Sequence, residues 1–332
     1  MDLYRQFTEL KVGTSQLEFS AIPLPSVRKD YLAKGLDGAP VFLLFDASPI
    51  QYSPAVQFKH VSAHFHSTCS VRTDTEEIQG QFAVVSCDSE VPELHELFVR
   101  CFLAAVEGLP EVAGTRELDS CIQKLLDLFR AMSRPSTREV SGLWAELFII
   151  SRSKNVADAV VAWHGDQFDK FDFSWRTGCL EVKASTREVR IHEFSLEQLQ
   201  SPIHGAGYVA SLLLQPLTGG LGVLELASQI DAEIASELEL RQKLWGNIAK
   251  ALGSDFSEKL DRSFDVSYAE RNLIVYAMED IPTIAHVADS RISGVRFKAD
   301  LSTVTSTLKT SNIKSLATIF AEARPVEVAI GA

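Results

Sequence analysis

Apolar and polar residues alternate along several segments in the first third of the chain, with the two-residue period of strands that bury one face. The predicted strands are residues 16–22, 41–46, 61–71 and 81–87. Proline and glycine residues such as Pro23, Pro25, Gly35 and Pro40 mark the turns between them. A helical pattern at residues 91–107 ends at the next glycine and proline. The sequence therefore predicts a β-rich N-terminal domain over residues 1–113.

Helical and strand-like patterns alternate through the middle of the chain. Helices are predicted at residues 116–132 and from Ser136, where Ser136 and Glu139 have the spacing of a capping box. Strands are predicted at 159–163, 171–175, 179–185, 189–194 and 208–214, with a short helix from Ser195 and a break at Gly219-Gly220. These elements predict a second part over residues 114–224.

The last third is first helical and then mixed. A helical pattern covers residues 221–260, strands are predicted at 264–268, 273–278 and 294–298, and a helix is predicted at 313–322. Residues 225–332 therefore form a helical, α+β C-terminal region. The fold class predicted for the whole chain is α/β (α+β).

Polar side chains with a chemical pattern lie on the predicted hairpin at residues 171–185. Alternation along its first strand turns Asp172 away from Phe171 and Phe173, and alternation along the second places Glu181 and Lys183 on one face. A turn at residues 176–178 joins the two strands. A hairpin of this kind brings Asp172, Glu181 and Lys183 to one side.

Two carboxylates and a lysine at one place suit the hydrolysis of a phosphodiester. Carboxylate oxygens are the ligands that Mg²⁺ prefers, and this ion keeps several octahedral positions for water and phosphate. An ammonium group beside the ion orients or deprotonates the attacking water and offsets charge in the transition state. The competing interpretation is a solvated hairpin face with an ion pair.

The order Asp172, eight residues, then Glu181-Val182-Lys183 across a hairpin resembles the PD-(D/E)XK nuclease superfamily, with Phe171 at the place of the nominal proline. The resemblance implies a restriction-endonuclease-like core, in which helices flank a mixed sheet. It also implies Mg²⁺ dependence, with Mn²⁺ as a substitute, and products with 5′-phosphate and 3′-hydroxyl ends. The superfamily supplies a further acidic residue from the preceding helix, and Glu146 is the matching residue. Asp172, Glu181 and Glu146 are thus the expected metal ligands.

A narrower resemblance covers residues 142–200. GLWAELF, FDFSW, LEVKAS and FSLEQLQ together are similar to bacterial PD-(D/E)XK motif proteins found among restriction and phage-defence genes. This similarity implies a DNA endonuclease of a defence system, with DNA and other defence proteins as partners. Gln198 resembles a position at which some of these nucleases carry a functional glutamine, although Ser195 and Gln198 also fit a capping box.

Other polar and aromatic residues near the hairpin have both functional and structural interpretations. Asp166 and Asp169 are alternative ligands or ordinary turn residues, and Ser185 and Thr186 are phosphate contacts or partners of the nearby backbone. Arg190 and His192 line a cleft or a solvated strand face. Trp163, Phe168 and Trp175 stack on bases or belong to the core. His164, His192 and His204 lack the spacing of a zinc site.

The composition adds limits to this interpretation. The net charge of −12 opposes non-specific coating of nucleic acid, but nine basic and eight acidic residues between positions 134 and 190 give a local charge of +1. The five cysteines show no metal or disulfide pattern, and no export signal or membrane span is apparent. We therefore expect a cytoplasmic Mg²⁺-dependent DNA endonuclease without a membrane anchor. The sequence is compatible with a homo-oligomer. The alternatives are a nuclease-like subunit that binds DNA or a partner without cutting, and an unrelated α/β enzyme with a deep pocket.

Overall fold

The computed structural model describes residues 2–13, 15, 17–49, 53–136, 138–164, 169–200, 205–284, 291–308, 312 and 319–320. The chain divides into two compact units, Met1–Arg134 and Pro135–Ala332. They are called the N-terminal and C-terminal units below. The predicted helix at 313–322 lies almost entirely outside the described residues.

The N-terminal unit combines one sheet with three helices in its described part. Its elements in chain order are α1 (Leu3–Glu9), β1 (Glu18–Pro23), β2 (Tyr31–Lys34), β3 (Pro40–Phe45), β4 (Val56–Phe58), β5 (Val61–Arg72), β6 (Glu77–Cys87), α2 (His95–Val106) and α3 (Thr115–Met132). The strand order is β1-β2-β3-β6-β5-β4, and β1 also pairs with β5 in parallel. The sheet therefore closes on itself.

The core of this unit confirms the predicted alternation. Phe19, Val41, Leu43, Val71 and Phe82 are among the buried residues of one apolar cluster on the sheet. The sequence analysis identified β1, β3, β5 and β6 and the helices α2 and α3, but it missed the four-residue strand β2. Three of its four residues are buried, so the strand lacks the alternation that identifies a half-exposed one.

The C-terminal unit surrounds a four-stranded sheet with helices. Its described elements in chain order are α4 (Val140–Ser151), α5 (Val156–Ala162), β7 (Phe173–Trp175), β8 (Gly178–Ser185), β9 (Ile191–Ser195), β10 (Ala206–Leu213), β11 (Pro216–Leu221), α6 (Val223–Glu233), α7 (Leu238–Leu252), α8 (Phe256–Leu260), α9 (Val266–Arg271), β12 (Leu273–Ala277) and β13 (Arg296–Asp300). The strand order is β12-β10-β8-β7. Strands β8 and β10 are parallel, whereas the other neighbours are antiparallel. The predicted mixed α+β class is thus confirmed.

Helix α4 is the central helix of this unit. Its residues from Leu143 to Ile150 are all buried, because the sheet and other helices cover it on several sides. The Trp144 ring stacks on Phe148 at 5.3 Å between centroids, and its indole N–H donates to the Leu221 carbonyl oxygen at 2.8 Å. This packing fixes the helix that carries Glu146 beside strand β8.

Four local predictions in this unit are wrong. Residues 159–163 and 264–268 were predicted as strands, but residues up to Ala162 belong to helix α5 and Val266 begins helix α9. Residues 159–163 are a short apolar run, for which the period cannot separate strand from helix, and the alternation over residues 264–268 is too short to do so. Gly219-Gly220 lies within strand β11 instead of breaking the structure. Helix α4 begins at Val140 with Glu139 as N-cap, and Ser136 instead accepts a hydrogen bond from the Arg138 backbone N–H.

All five cysteines are free thiols in buried positions. Among the residues that the structure describes, no helix combines the length and apolar character needed to cross a lipid bilayer.

Candidate active site

The β7–β8 hairpin places the predicted residues on adjacent strands. Its register pairs Trp175 with Gly178 and Phe173 with Leu180, so the next pair in sequence would be Asp172 opposite Glu181. Gly178 makes the tight turn possible, because a Cβ atom there would lie 2.6 Å from the Trp175 ring and 2.9 Å from the Ala206 carbonyl oxygen. The hairpin predicted from the sequence is confirmed, with Asp172 immediately before its first strand.

The Asp172 side chain takes the place of a main-chain hydrogen-bond partner where the pairing of β7 with β8 ends. Its Oδ2 accepts a hydrogen bond from the Val182 backbone N–H at 2.8 Å. The Asp172 side chain is 18% exposed, so one side of the carboxylate faces solvent. Its position is therefore fixed by strand β8 while its Oδ1 atom stays accessible to other groups.

Glu181 lies on strand β8 and is only 3% exposed. Its Oε1 atom is 2.8 Å from the Lys183 ammonium and accepts a hydrogen bond from the Gln198 amide at 2.5 Å. The Gln198 Oε1 atom accepts from the Ser195 backbone N–H at 3.0 Å and from Lys183 at 3.4 Å. Gln198 thus caps the 3₁₀ turn Leu196–Leu199 and also fixes both site residues of strand β8. The capping box of Ser195 and Gln198 is confirmed, and the functional role of this glutamine stays a prediction.

Glu146 reaches the same place from helix α4. Acidic helix residues are ordinarily exposed, but Glu146 is only 3% exposed. Its Oε2 atom accepts a hydrogen bond from the Trp163 indole N–H at 2.7 Å, and its Oε1 atom accepts from Arg138 at 2.5 Å. Trp163 is fully buried and is therefore a positioning group for Glu146 rather than a surface for base stacking.

Arg138 joins two of the carboxylates and was missed by the sequence analysis. The same Nη2 atom that donates to Glu146 is 3.4 Å from Asp172 Oδ1. Arg138 precedes helix α4, and its guanidinium is 26% exposed. No sequence motif identifies this residue, because its role depends on the tertiary approach of α4 to the hairpin.

The electrostatics of the cluster are dominated by burial and by repulsion among like charges. Burial, followed by the Asp172 carboxylate, raises the pKa of Glu146 and that of Glu181. Arg138 lowers the pKa of Glu146, and Lys183 and Arg138 lower that of Glu181. Three carboxylates and two cations leave a formal charge of −1 when all are ionised. A further cation would therefore be favoured here.

The donor set fits a hard divalent cation, although the described side chains are not arranged around one. No group of three or more His, Cys, Asp or Glu side chains among the described residues is spaced to hold a metal ion. Nevertheless, Glu181 Oε2 is buried and has no hydrogen-bond partner. An unpaired buried carboxylate oxygen is costly, and an oxygen-binding cation is the partner that would relieve this cost.

The other sequence candidates lie elsewhere. Arg190 and His192 are buried, so both interpretations of these residues, as lining a cleft or a solvated strand face, are wrong. His192 contacts Ser211 Oγ at 2.7 Å, and Arg190 donates to the Ser211 carbonyl oxygen at 2.9 Å. Asp169 is 3.3 Å from His164. The Trp175 ring stacks on Tyr208, the Ser185 hydroxyl hydrogen-bonds to the Arg187 backbone, and Thr186 lines a surface pocket. Asp166, Phe168 and His204 lie outside the described residues.

Comparison with known proteins supplies a family. No curated protein and no solved structure matches the chain. A family model does match, over residues 4–302, and its description is "Putative PD-(D/E)XK family member, (DUF4420)". Because this match spans nearly the whole sequence, the chain belongs to that PD-(D/E)XK family.

Proposed function

We propose that the chain is a Mg²⁺-dependent endonuclease that hydrolyses DNA phosphodiester bonds. The observation that carries this proposal is the meeting of Glu146, Asp172 and Glu181 beside Lys183, with one buried Glu181 oxygen unpaired. Family membership supports a nuclease-like protein. The three carboxylates would hold the metal, which supplies charge neutralisation at the phosphate and a water of lowered pKa.

Lys183 is the group proposed to orient the attacking water. Its ammonium has three N–H donors, and two of them are directed to Glu181 Oε1 and Gln198 Oε1. The third donor remains for a water molecule or a phosphate oxygen. The Lys183 ammonium also lies 5.2 Å from the centroid of the Phe194 ring, which restricts its movement on the side of strand β9.

The buried residues around the site have positioning roles in this proposal. Trp163 fixes the orientation of Glu146, the Val182 N–H fixes Asp172, and Gln198 fixes Glu181. Rigid support of this kind keeps the carboxylates in place before substrate arrives, so little reorganisation is needed when charge develops. We expect substitutions of these three partners to reduce activity less than substitutions of the carboxylates themselves.

A cleavage assay tests the proposal directly. Supercoiled plasmid, single-stranded DNA and RNA are incubated with the protein in Mg²⁺ or in EDTA. We expect cleavage of DNA only in Mg²⁺, with loss of about 10³-fold or more for Asp172→Asn and Lys183→Met. Asp265→Asn and Lys259→Met are the matched controls: Asp265 accepts a backbone N–H at 2.9 Å, and the Lys259 side chain is 12% exposed against 19% for Lys183.

The controls separate chemistry from folding. Both control variants should cleave at the wild-type rate, and all four should unfold cooperatively, with Lys183→Met at a lower temperature because it removes a counter-charge of Glu181. Full activity in Asp172→Asn or Lys183→Met would refute the assignment of these residues. Cleavage of RNA alone would retain the metal site but reject DNA as the substrate.

A binding subunit without catalytic activity is the second candidate. It is favoured by the Arg138 guanidinium, which already pairs with Glu146 and Asp172, and by the net charge of −12. Calorimetric titration with Mg²⁺ and Mn²⁺ distinguishes the two functions. The endonuclease predicts binding that Asp172→Asn and Glu181→Gln abolish, whereas the binding subunit predicts no such dependence.

The cellular role in this proposal is restriction or defence against phage, in the cytoplasm and with other defence proteins as partners. It rests on the resemblance of the segment at 142–200 to defence-associated proteins. Bacteria expressing the chain from its native locus should resist at least one phage, and Asp172→Asn should remove that resistance. Equal phage titres on wild-type and variant cells would remove the nuclease from the explanation of any resistance.

A further inference from the structure

The environment of Arg138 is unusual for a structural arginine. Among the described residues, its guanidinium donates to Glu146 Oε1 at 2.5 Å and approaches Asp172 Oδ1 at 3.4 Å, and it makes no side-chain hydrogen bond to a backbone carbonyl. The charges of Glu146, Asp172 and Glu181 together raise the pKa of Arg138 against the opposing effect of burial. Arg138 therefore contacts two of the acidic groups of the site and interacts electrostatically with the third.

We propose that Arg138 is a built-in counter-cation that competes with the divalent metal for Glu146 and Asp172. This inference rests on the proposed metal-dependent function and adds a control on metal loading to it. The guanidinium occupies the two carboxylate oxygens that a metal would need, namely Glu146 Oε1 and Asp172 Oδ1. Metal binding must therefore break these two contacts and release Arg138 toward solvent.

The surroundings of the site permit such an exchange. The other oxygen of each carboxylate is held by a neutral donor, the Trp163 indole for Glu146 and the Val182 backbone for Asp172. These donors stay in place when the guanidinium leaves, so the carboxylates keep their orientation. Arg138 is 26% exposed and lies before the first turn of helix α4, where its side chain has a route to solvent.

The exchange also explains why the carboxylates can meet in the metal-free protein. Three ionised carboxylates that lie close together with little solvent repel one another. Without a counter-charge, this repulsion would lower the free energy of unfolding. Arg138 and Lys183 offset most of the charge while no metal is bound. The divalent ion then takes over the two carboxylate oxygens that Arg138 contacts and also supplies a partner for Glu181 Oε2.

Metal affinity measured by calorimetry tests the competition without any cleavage assay. Mn²⁺ and Mg²⁺ are titrated separately into the full chain as wild type, Arg138→Gln, Arg138→Lys and Arg152→Gln. Arg152 is the matched control, because its side chain is 25% exposed and it pairs with Glu270 at 2.6 Å. Thermal unfolding in EDTA and in Mn²⁺ is recorded for each protein.

The expected result is a tighter metal site in the absence of the guanidinium. Arg138→Gln should lower the Kd for Mn²⁺ by about tenfold, and Arg138→Lys should lower it by less, because an ammonium keeps the charge but not the planar fork. Arg152→Gln should keep the wild-type Kd. In EDTA, Arg138→Gln should melt below the wild type, and Mn²⁺ should raise its Tm by more than it raises the wild-type Tm.

Two results would overturn the inference in distinguishable ways. If the wild type and both Arg138 variants bind Mn²⁺ equally, or if the variants bind it more weakly, the counter-cation role is wrong while the metal site stands. If none of the proteins binds Mn²⁺ or Mg²⁺, the proposed metal-dependent function fails and the competition fails with it. Should Arg138→Gln not fold, an unchanged Kd in Arg138→Lys is sufficient to reject the inference.

Discussion

Each unit of the chain buries a group of charged side chains, and the two groups differ in how completely they are paired. In the N-terminal unit, Asp30 is fully buried and accepts from Arg28 Nε at 2.6 Å, from Arg28 Nη2 at 3.1 Å and from the Phe45 N–H at 2.8 Å. The same guanidinium also donates to the carbonyl oxygens of Phe45, Pro110 and Glu111. One negative group thus meets one positive group, and the polar atoms are satisfied.

The group in the C-terminal unit is not balanced in this way. It combines three carboxylates with two cations, and it leaves Glu181 Oε2 buried without a partner. Natural proteins pair buried polar atoms almost completely, so an exception of this kind requires an explanation. The Arg28–Asp30 pair is complete within the protein, whereas the acidic group of the C-terminal unit combines an unpaired oxygen with an excess of carboxylates, as the proposed binding of a cation requires.

Breaking the balanced pair should give the largest change in stability. Asp30→Asn leaves the buried Arg28 guanidinium without its counter-charge, and we expect the free energy of unfolding to fall by about 3–5 kcal/mol in urea titrations. The control is Glu77→Gln, which removes a surface pair with side chains 72% and 56% exposed and should cost less than about 1 kcal/mol. Equal losses in the two variants would contradict the distinction between buried and exposed pairs.

A buried histidine next to the unbalanced group gives the next largest effect. Burial, with the charges of Lys183 and Arg190, lowers the pKa of His192 from 6.5 to about 4. As the pH falls below 6.5 the unfolded chain takes up a proton before the folded one, so the protein loses stability between pH 6.5 and about 4. The loss from this residue amounts to about 3 kcal/mol.

Unfolding measured across that pH range tests the histidine. His192→Gln should remove this part of the pH dependence while keeping a hydrogen-bonding group beside Ser211, to which His192 is bonded at 2.7 Å. Both proteins carry the same carboxylates, so the difference between their slopes of unfolding free energy against pH reports the histidine. Identical slopes in wild type and variant would show that His192 titrates in the folded protein as it does in the unfolded chain.

Adding metal should stabilise only the C-terminal unit, which contains the unbalanced group. At a Mg²⁺ concentration about 100 times its Kd, we expect the free energy of unfolding to rise by about 2.7 kcal/mol, because only the folded chain assembles the site. Asp172→Asn should lose this gain, whereas Asp30→Asn should retain it in the transition of the C-terminal unit. A gain that persists in Asp172→Asn would place the metal elsewhere.

The smallest expected effect is a gain in stability from removing one charge of the site. Glu181→Gln leaves two carboxylates and two cations in place of three carboxylates and two cations. The negative group that it removes is 3% exposed. We expect the free energy of unfolding in EDTA to rise by about 1 kcal/mol, together with loss of activity. A lower stability would mean that the pair with Lys183, at 2.8 Å, outweighs the repulsion.

The sequence was sufficient to predict the hairpin and the residues that meet there. Asp172, Glu181 and Lys183 are close in sequence, so the strand period and the turn at 176–178 determine their relative positions. Glu146 required the family resemblance, because an acidic residue on an apolar helix has no geometric signature of its own. Most of the strands were predicted from their periods, whereas the mixed sheet was implied by the family resemblance.

The remaining features depend on tertiary packing. Segments 159–163 and 264–268 are too short for their period to distinguish a strand from a helix, and their neighbours in space decide the outcome. Arg138 and Trp163 lie eight residues before Glu146 and seventeen residues after it, and their contacts with Glu146 exist only after folding. The sequence therefore reveals the candidate ligands more readily than the residues that position them.

The shortness of strand β7 has a consequence for the evolution of this site. Its ladder with β8 stops at Phe173, and the Asp172 carboxylate takes the Val182 N–H in place of a further main-chain partner. The same carboxylate thus completes the end of the β7–β8 ladder and contacts Arg138 in the candidate site. A single inserted or deleted residue in the connecting loop would shift the facing strands and separate Asp172 from Glu181, so changes of loop length here are expected to be excluded among functional relatives.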